Sequence, residues 1–538
     1  MERIENKVKN QMKASNNIDY PNFDQMWSSI QQDELKVAGG EPVVLRPRKR
    51  KRFALVAGLS VALMATPVYA ALNYDWSSML SHREGIQSAL EQGLGQTIEQ
   101  SVTKDGVTLT VHTAFVDENR TFLLYSLKPE TFKDVKDIDF EVIGLKDSKG
   151  NFIEGNYGQH KWDEKLGVFQ GYFETDWVAE GQMTDIEFIM ENIQFIDNKK
   201  QSINYNPNDS TTQVFPIQKD GVGSVTLQSF EQAEGKVLLK SDVTFTDTEM
   251  PYRGVEFEAI NNVGESVKQV TGTSFSYRDG GANISQIFKS DTLREEGTKF
   301  QLSYDHILET KESTWNINMN LSKKQLENAS FKQVLDIPMG DVPNTKIHEM
   351  KVTPTQVRLK ITQEDYYTLP FREYQLDVGG TLLKGYSMGK GQDLRFEVKG
   401  LDVASLANQP ITLVAKHRID GFYGDENDKP IRLTDISEKH QTTTSSIAGY
   451  PISWTYYLKD NNLYVETLSS DPTFEGVDRT YYLDGKEQIL GEPESYDESN
   501  KPMHVYENFD KKELDIFIYS YGINKPNEEL RIPLKSGK

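Results

Sequence analysis

The chain has 538 residues, of which 37% are hydrophobic and 26% are charged, and it contains no cysteine. A chain of this length divides into several domains, and the lack of cysteine excludes disulfides, thiolate zinc sites and a cysteine nucleophile. The formal net charge is −21, but residues 1–52 carry 11 Lys and Arg against 7 Asp and Glu, which leaves −25 on the rest of the chain. Since binding to nucleic acid depends on positive charge, we expect no nucleic-acid partner.

Residues 1–45 are predicted to form a short helical tail. The stretch NFDQMWSSIQQDELKV, which begins at Asn22, has the spacing of an amphipathic helix, because its apolar residues recur at i, i+3, i+4 and i+7. These residues are Phe23, Met26, Trp27 and Ile30. Two short helices cannot bury such a stripe by themselves, so we predict that it is a docking face for a cytoplasmic protein. The alternatives are that the stripe packs on the first helix of the tail or lies on the membrane surface.

A basic flank and a long apolar run come next. Residues 46–52 contain six Lys and Arg, and residues 53–72 contain 16 apolar residues and no charged one. Helical residues rise about 1.5 Å each, so this run reaches about 30 Å, the thickness of a bilayer core. We therefore predict a transmembrane helix over residues 53–72. Because Lys and Arg collect on the cytoplasmic side, we expect a single-pass cell-membrane protein with a cytoplasmic N-terminus and an extracytoplasmic C-terminal region.

The end of the apolar run also fits a protease site. Val68 and Ala70 suit the −3 and −1 positions of a signal-peptidase site, so the alternative to an anchor is a secretory signal. The long leader favours the anchor, because a signal peptide has a short basic head. Val68 and Ala70 remain our predicted cleavage site, where a standing anchor would be cut when the protein responds.

Residues 73–96 are predicted to contain an amphipathic helix. Its pattern covers residues 75–92, with Asp75 as the cap and with Gly93 and Gly95 after its end. The face that would pack on the next domain or on lipid is formed by Trp76, Met79, Leu80, Arg83 and Leu90, with Ile86 beside it.

From Thr97 onward the hydrophobic pattern has the period of two that is typical of strands. Asp105-Gly106 predicts a tight turn, after which Val107, Leu109 and Val111 alternate with polar residues. Similar strand–turn–strand openings recur near residues 221, 345 and 452. The predicted fold is therefore mainly β, with three to four Ig-like sandwiches in series. The predicted domains span residues 97–218, 219–342, 343–449 and 450–538.

The order of these parts resembles that of a known family. A charged tail, one membrane span, an amphipathic helix and the stretch GQTIEQSVTKDGVTLTVHTAFVDENRTFLLYSLK together resemble membrane-anchored anti-sigma factors of Gram-positive spore formers, whose ectodomains have no known function. The resemblance is strongest over residues 46–130 and continues over residues 220–340. It implies that the tail sequesters an extracytoplasmic-function sigma factor, and that an outside signal leads envelope proteases to release it. It implies no catalytic residue.

The sequence shows no pattern of catalytic or cofactor-binding residues. Its eight histidines contain no i, i+4 pair, and no nucleophile elbow, phosphate loop or dinucleotide fingerprint is present. The acidic loop 420–430 lacks the spacing of an EF-hand, which favours a solvated hairpin. We therefore expect a non-enzyme without cofactor or metal. The alternative function is that of a membrane-anchored adhesive protein that binds a ligand of the cell wall.

Overall fold

A computed structural model describes the chain from residue 74 onward. The described residues are 74–131, 135–158, 160–179, 183–209, 211–232, 235–246, 254–270, 273–278, 280–323, 326, 330–340, 342–363, 369–388, 392–399, 406, 408–424, 429–493 and 502–537. The predicted tail, basic flank and transmembrane helix lie outside them. Within these ranges no helix is both long enough and apolar enough to cross a membrane.

The predicted fold class, mainly β, is confirmed: the described residues form 32 strands and two helices, α1 (Glu84–Glu91) and α2 (Ser290–Leu293). The first sheet contains β1 (Gln96–Lys104), β2 (Val107–Val116), β3 (Thr121–Pro129), β6 (Asn156–Tyr157), β7 (Lys161–Asp163) and β8 (Val168–Thr175). The second contains β4 (Asp137–Asp147), β5 (Phe152–Ile153), β9 (Met183–Ile203), β13 (Val255–Ile260) and β16 (Lys299–Ser322). The third contains β10 (Gln213–Lys219), β11 (Val222–Gln232), β12 (Lys236–Phe245), β14 (Ser274–Arg278) and β15 (Gly281–Lys289).

Two further sheets form the C-terminal part. The fourth contains β17 (Phe331–Pro338), β18 (Thr345–Val352), β19 (Gln356–Gln363), β20 (Phe371–Val378), β21 (Thr381–Met388), β22 (Asp393–Glu397), β23 (Ile411–Tyr423), β24 (Ile431–Leu433), β28 (Phe474–Asp484), β29 (Glu487–Leu490) and β32 (Leu514–Lys535). The fifth contains β25 (Gln441–Ile447), β26 (Tyr450–Lys459), β27 (Asn462–Ser469), β30 (Glu492–Pro493) and β31 (Met503–Tyr506). Every pairing between these strands is antiparallel, as short hairpin connections allow.

Tight two-residue turns join several of the strands. At the turn between β1 and β2, Asp105 and Gly106 have φ values of 43° and 72°, and Lys104 pairs with Val107. Two positive φ values define a type I′ turn, whose twist matches that of the flanking strands. The predicted turn at Asp105-Gly106 is therefore confirmed. Asp220-Gly221 makes the same turn between β10 and β11.

The four largest hydrophobic cores of the described residues belong to four β-sandwiches, and two pairs of long strands pass through them. The first pair is β9 and β16. One half of each strand packs against the first sheet in one core, and the other half packs against the third sheet in another core. In the second pair, β23 and β32 serve a core with strands β17–β22 and a core with the fifth sheet. We call the bodies around these cores the first to fourth sandwiches, in chain order.

The two halves of the structure repeat one topology. The third sheet has the strand order β10-β11-β12-β15-β14, and the fifth has the order β25-β26-β27-β31-β30. Each of these two sandwiches is inserted in the chain between two long paired strands, β9 and β16 in one case and β23 and β32 in the other. One strand of the inserted sandwich pairs with the second long strand: β13 with β16, and β28 with β32. The first sheet and strands β17–β22 also share one order, β1-β2-β3-β8-β6 against β17-β18-β19-β22-β21. The repeat of sequence pattern is therefore a repeat of topology.

The second and fourth sandwiches pack against each other through equivalent sheets. Their contact is apolar and consists of Phe230, Leu238, Ile287, Tyr457, Tyr464, Met503 and Val505. The Lys459 Nζ lies 4.3 Å from the centroid of the Phe230 ring and donates a hydrogen bond to the Ser229 carbonyl oxygen at 3.2 Å. Burial lowers the pKa of Lys459 from 10.5 to about 8, against the opposing effect of nearby acidic groups.

We expect this lysine to make the stability of the protein depend on pH. The folded state releases the Lys459 proton at about pH 8, whereas the unfolded state keeps it until about 10.5, so the free energy of unfolding rises with pH between these values. We expect Lys459→Met to abolish this rise while keeping the packing on Phe230. Urea unfolding of a fragment of residues 74–538 across this pH range measures it. The exposed Lys486 provides the control, and an equal loss of the rise in Lys486→Met would contradict the prediction.

Candidate functional site

The segment that follows the predicted membrane span is packed into the first sandwich. This α1 segment, residues 74–94, is shorter in helix than predicted, since the helix begins at Glu84 rather than at Asp75. Residues 77–82 form turns instead, in a stretch rich in serine, which favours turns over helix interiors. The Gly93 residue, with φ 70°, ends the helix as predicted.

An apolar cluster fixes the α1 segment on the outer face of the first sheet. Its buried members are Trp76, Leu80, Ile86, Ala89, Leu90, Phe115, Phe122, Leu124 and Leu326. The predicted face is therefore confirmed at Trp76, Leu80 and Leu90 and extends to Ile86. Burying a large apolar side chain contributes about 1.5–3 kcal/mol, so this cluster is a strong attachment.

The attachment begins at Tyr74, the first described residue. The Tyr74 ring lies 4.4 Å from the His112 ring and 5.4 Å from the Trp76 ring, measured between centroids. On the other side, His112 Nε2 lies 2.8 Å from the Ser126 hydroxyl. Burial lowers the pKa of His112, so this imidazole is a neutral packing partner near pH 7.

A buried ionic cluster holds the first and third sandwiches together beside α1. We call it the Arg120 cluster, and it consists of Asp117, Arg120, Glu174, Thr355 and Glu397, all less than 9% exposed. The Arg120 Nη1 donates to Glu174 Oε1 at 2.8 Å and to Glu397 Oε1 at 2.8 Å, and its Nη2 donates to Glu397 Oε2 at 2.9 Å. Its Nε and Nη2 also donate to the hydroxyl and carbonyl oxygens of Thr355, each at 3.2 Å. The planar guanidinium thus bridges two sandwiches.

The loop that carries Arg120 is shaped by Asp117. Its Oδ1 accepts hydrogen bonds from the backbone N–H groups of Asn119 and Arg120, at 2.7 and 3.0 Å. Its Oδ2 accepts the Thr355 hydroxyl at 2.6 Å, and the Asn119 amide donates to the Gln356 carbonyl oxygen at 2.9 Å. The β2–β3 loop of the first sandwich therefore meets the β18–β19 loop of the third, its equivalent in the repeated topology.

The charges in the cluster compensate for its burial. Burial alone would lower the pKa of Arg120, but Glu397 and Glu174 hold it well above its usual value. Burial alone would raise the pKa of Glu174, but the guanidinium groups of Arg120 and Arg83 bring it below its usual value. The Arg83 Nε donates to Glu174 Oε2 at 2.7 Å, so the residue just before α1 is part of the same network.

The start of α1 touches the third sandwich directly. The Gly85 N–H donates to Glu397 Oε2 at 3.1 Å. A Cβ atom at Gly85 would lie 1.7 Å from the Thr355 carbonyl oxygen, which no side chain can accommodate. A glycine at this point therefore allows the α1 backbone and the β18–β19 loop to meet.

A second group of ion pairs lies at the edge of the same contact. The Asp176 carboxylate, which follows β8, accepts from Arg358 Nη2 at 2.7 Å and from Arg395 Nη2 at 2.6 Å. Burial would raise the pKa of Asp176, but these two arginines lower it. The Lys399 Nζ also lies 2.6 Å from Glu84 of α1. The junction thus combines a buried centre with a partly exposed rim.

These contacts join the α1 segment, the first sandwich and the third sandwich through one network. Removing one partner from a buried ion cluster leaves an unpaired charge and costs about 3–5 kcal/mol. We therefore expect the contacts that join the α1 segment, the first sandwich and the third sandwich to break together. Any event that draws the third sandwich away also removes the partners of Gly85 and Arg120 next to the α1 segment.

All the residues singled out from sequence as sites lie outside the described residues. These are Phe23, Met26, Trp27 and Ile30 in the tail, and Val68 and Ala70 at the predicted cleavage site. Ala70 precedes the packed Tyr74 by four residues. Sequence reasoning missed the Arg120 cluster, because its members come from four separate stretches of chain. The available signal was the strand after Arg120, whose residues Thr121 to Leu127 are all buried.

The comparisons with known proteins concern this region first. Residues 46–129 match the family model of a domain of unknown function, DUF4179. The matched residues include the basic flank, the predicted membrane segment, α1 and the strands up to β3. Gly85, Asp117 and Arg120 lie within this matched stretch, whereas Glu174, Thr355 and Glu397 come from the chain beyond it.

A crystal structure described as the conserved domain protein from Bacillus anthracis is 14% identical, with 42% of this chain and 91% of that chain covered and a TM-score of 0.16. No curated protein matches the chain.

Proposed function

We propose that this protein is a single-pass membrane anti-sigma regulator. In this proposal the cytoplasmic tail sequesters an extracytoplasmic-function sigma factor, and the Ig-like sandwiches outside the membrane sense an envelope signal. Regulated proteolysis by envelope proteases then releases the sigma factor. The DUF4179 match over residues 46–129 supports this reading, since it covers the same stretch that resembles membrane-anchored anti-sigma factors.

The observation that carries the proposal is the burial of the α1 segment between ectodomain contacts. Tyr74 packs on His112, and Gly85 bonds to Glu397, so the chain just beyond the predicted cleavage site at Ala70 is held by two sandwiches. A protease needs several extended residues on both sides of the bond that it cuts. Release of the α1 segment would therefore control access to this site.

The proposed signal path runs through the Arg120 cluster. A ligand or a pulling force that separates the third sandwich from the first would break the bonds from Arg120 and Gly85 to Glu397. The charged groups of the cluster would then be hydrated. Burying any of them again without its partner would cost free energy, because an unpaired buried charge is unfavourable. The α1 segment would lose part of its support, and the predicted cleavage site at Ala70 would become accessible to an envelope protease.

The tail function is tested with a matched pair of substitutions. We expect Trp27→Asp to weaken co-purification of the full-length protein with its sigma factor by about tenfold or more, since buried tryptophans dominate interfaces. Ser28→Asp adds the same charge on the neighbouring position, off the Trp27 stripe, and should leave binding unchanged. Sigma-dependent transcription in cells is the second measurement, and it should rise only with Trp27→Asp.

Two outcomes would contradict the proposal. One is a full-length protein that captures no sigma factor, and the other is Trp27→Asp leaving transcription unchanged. Binding of wall polymer together with either outcome would support the alternative, a membrane-anchored adhesive protein.

A further inference from the structure

A cleft of about 820 Å³ lies between the third and fourth sandwiches. Its walls are formed by the loop before β18, the start of β20, and the strands β23, β28 and β32. Pockets for small ligands commonly have volumes of about 300–1,000 Å³ and often lie at domain junctions. The Arg120 cluster is elsewhere, because none of its members lines this cleft.

The floor of the cleft contains a glycine that the fold does not require. Gly421, Gly522 and Gly476 are cross-strand neighbours on β23, β32 and β28. An added Cβ at Gly421 would meet no atom within 4 Å, and its φ is not positive. Glycine in a strand interior costs about 0.5–1 kcal/mol relative to alanine. Since neither strain nor packing explains Gly421, the bare backbone leaves room for something that lies flat on it.

Side chains around this floor offer an aromatic face and hydrogen-bonding groups. Tyr423 is 62% exposed beside the floor. The Asp478 carboxyl lines the same end and interacts with Ser520, while the surrounding walls raise its pKa. The ion pair of Arg372 and Glu475 lines the cleft as well. Aromatic, carboxyl and hydroxyl groups together suit a ligand with many hydroxyl groups and an apolar ring face.

Apolar side chains also line the cleft. They are Val342 and Pro343 from the loop before β18 and Leu369 and Phe371 at the start of β20, and the polar Thr345 and Gln363 lie among them. A ligand in the cleft would therefore meet both polar groups and carbon. Acetamido groups on a sugar ring have this character, because each joins a methyl group to an amide that forms hydrogen bonds.

The charges exclude a polyanionic ligand. Both arginines that line the cleft are already paired, Arg372 with Glu475 and Arg418 with Asp420, the latter at 2.6 Å. Asp478 adds a further acidic group, and the chain after residue 52 carries −25. Phosphate-rich polymers would be repelled, since like charges repel across such a surface.

From these observations we propose that the cleft floored by Gly421 and flanked by Tyr423 and Asp478 binds an uncharged oligosaccharide that carries acetamido groups. The ring face would lie on the bare backbone and Tyr423, its hydroxyl groups would bond to Asp478 and Ser520, and acetamido methyl groups would contact Leu369 and Phe371. This binding site does not depend on the sigma-binding role, because it is defined by the cleft alone.

The test is calorimetric titration of the full-length protein in lipid nanodiscs with chitohexaose. We expect saturable binding that Gly421→Val and Tyr423→Ala each weaken by about tenfold or more, one by filling the floor and the other by removing the aromatic face. Valine is a strand-forming residue and meets open space at position 421, so Gly421→Val should fold normally, which its thermal unfolding checks. Phe152→Ala, at an exposed aromatic residue of the first sandwich, is the matched control and should bind like the wild type.

Three results would overturn the proposal. The first is no binding of chitohexaose at millimolar concentration. The second is binding that Gly421→Val and Tyr423→Ala leave unchanged. The third is binding of an uncrosslinked wall stem peptide in place of chitohexaose, which would assign the cleft to peptides. None of these results bears on sigma-factor capture by the tail, so the failure of one proposal is distinguishable from the failure of the other.

Discussion

Replacement of Gly85 by alanine is expected to detach the start of α1 from the third sandwich. The added Cβ would lie 1.7 Å from the Thr355 carbonyl oxygen and 2.8 Å from Glu397 Oε2, so the backbone of one partner must move. Such overpacking costs about 1–3 kcal/mol, and the bond from the Gly85 N–H to Glu397 would be lost with it. The effect is local, because alanine is otherwise a better helix residue than glycine.

Hydrogen exchange in a fragment of residues 74–538 measures this detachment. We expect the amides of α1 to exchange faster in Gly85→Ala, while those of the fourth sandwich keep their rates. The matched control is Gly421→Ala, where the new Cβ meets open space and protection of α1 should not change. If the proposed function holds, Gly85→Ala also increases shedding of the ectodomain in cells. Unchanged exchange in α1 would show that the contact at Gly85 does not hold the segment.

Local features of the structure were predictable from the sequence. The turn at Asp105-Gly106 and the alternating residues after it depend on neighbours a few positions apart, and both are found. The predicted helix was longer than the observed one, because its apolar spacing continues through residues 77–82, where serines favour turns. The hydrophobic periodicity identified the buried face of the α1 segment correctly. The backbone conformation before Glu84 depended instead on the serine residues there, which favour turns.

The sharing of strands between sandwiches was not predictable. The pairing of β9 with β16 joins residues that are about a hundred or more positions apart, for example Trp315 with Met190. Periodicity within each strand does not identify its partner. The predicted domain boundaries therefore stay predictions. The hydrophobic cores contain residues from both sides of residue 218 and from both sides of residue 449.

The Arg120 cluster shows the same limit more sharply. Arg120 lies 54 residues from Glu174 and 277 from Glu397, so no spacing rule connects them. One property of the sequence could have indicated the contact. Strand β3 is apolar on both faces, with Leu123 facing the first core and Phe122 facing the α1 segment. A strand without a polar face requires cover on both sides, which predicts a partner but not its identity.

Substitution of Arg120 by methionine is expected to destabilise the protein strongly. Methionine keeps much of the volume but leaves the buried Glu397 without a guanidinium and Glu174 with Arg83 alone. Removing one partner from a buried ion cluster costs about 3–5 kcal/mol. The triple change Arg120→Met, Glu174→Gln and Glu397→Gln removes the uncompensated charge and should recover much of that loss. Urea unfolding of the fragment of residues 74–538 gives both free energies, and recovery in the triple variant separates the role of charge pairing from that of packing.

The same cluster predicts how the contact responds to acid. The pKa of Glu174 is held below its usual value of 4.5 by Arg120 and Arg83, so its stabilising effect is complete above that pH. It is lost as the pH falls through the lower pKa of the folded state, because the unfolded carboxyl takes up its proton first. The wild type should therefore lose stability below pH 4.5 more steeply than the triple variant, whose cluster has no carboxyl at position 174. Equal slopes in the two proteins would mean that Glu174 does not couple the first and third sandwiches through its charge, and the signal path through Arg120 would then rest on apolar packing of the α1 segment alone.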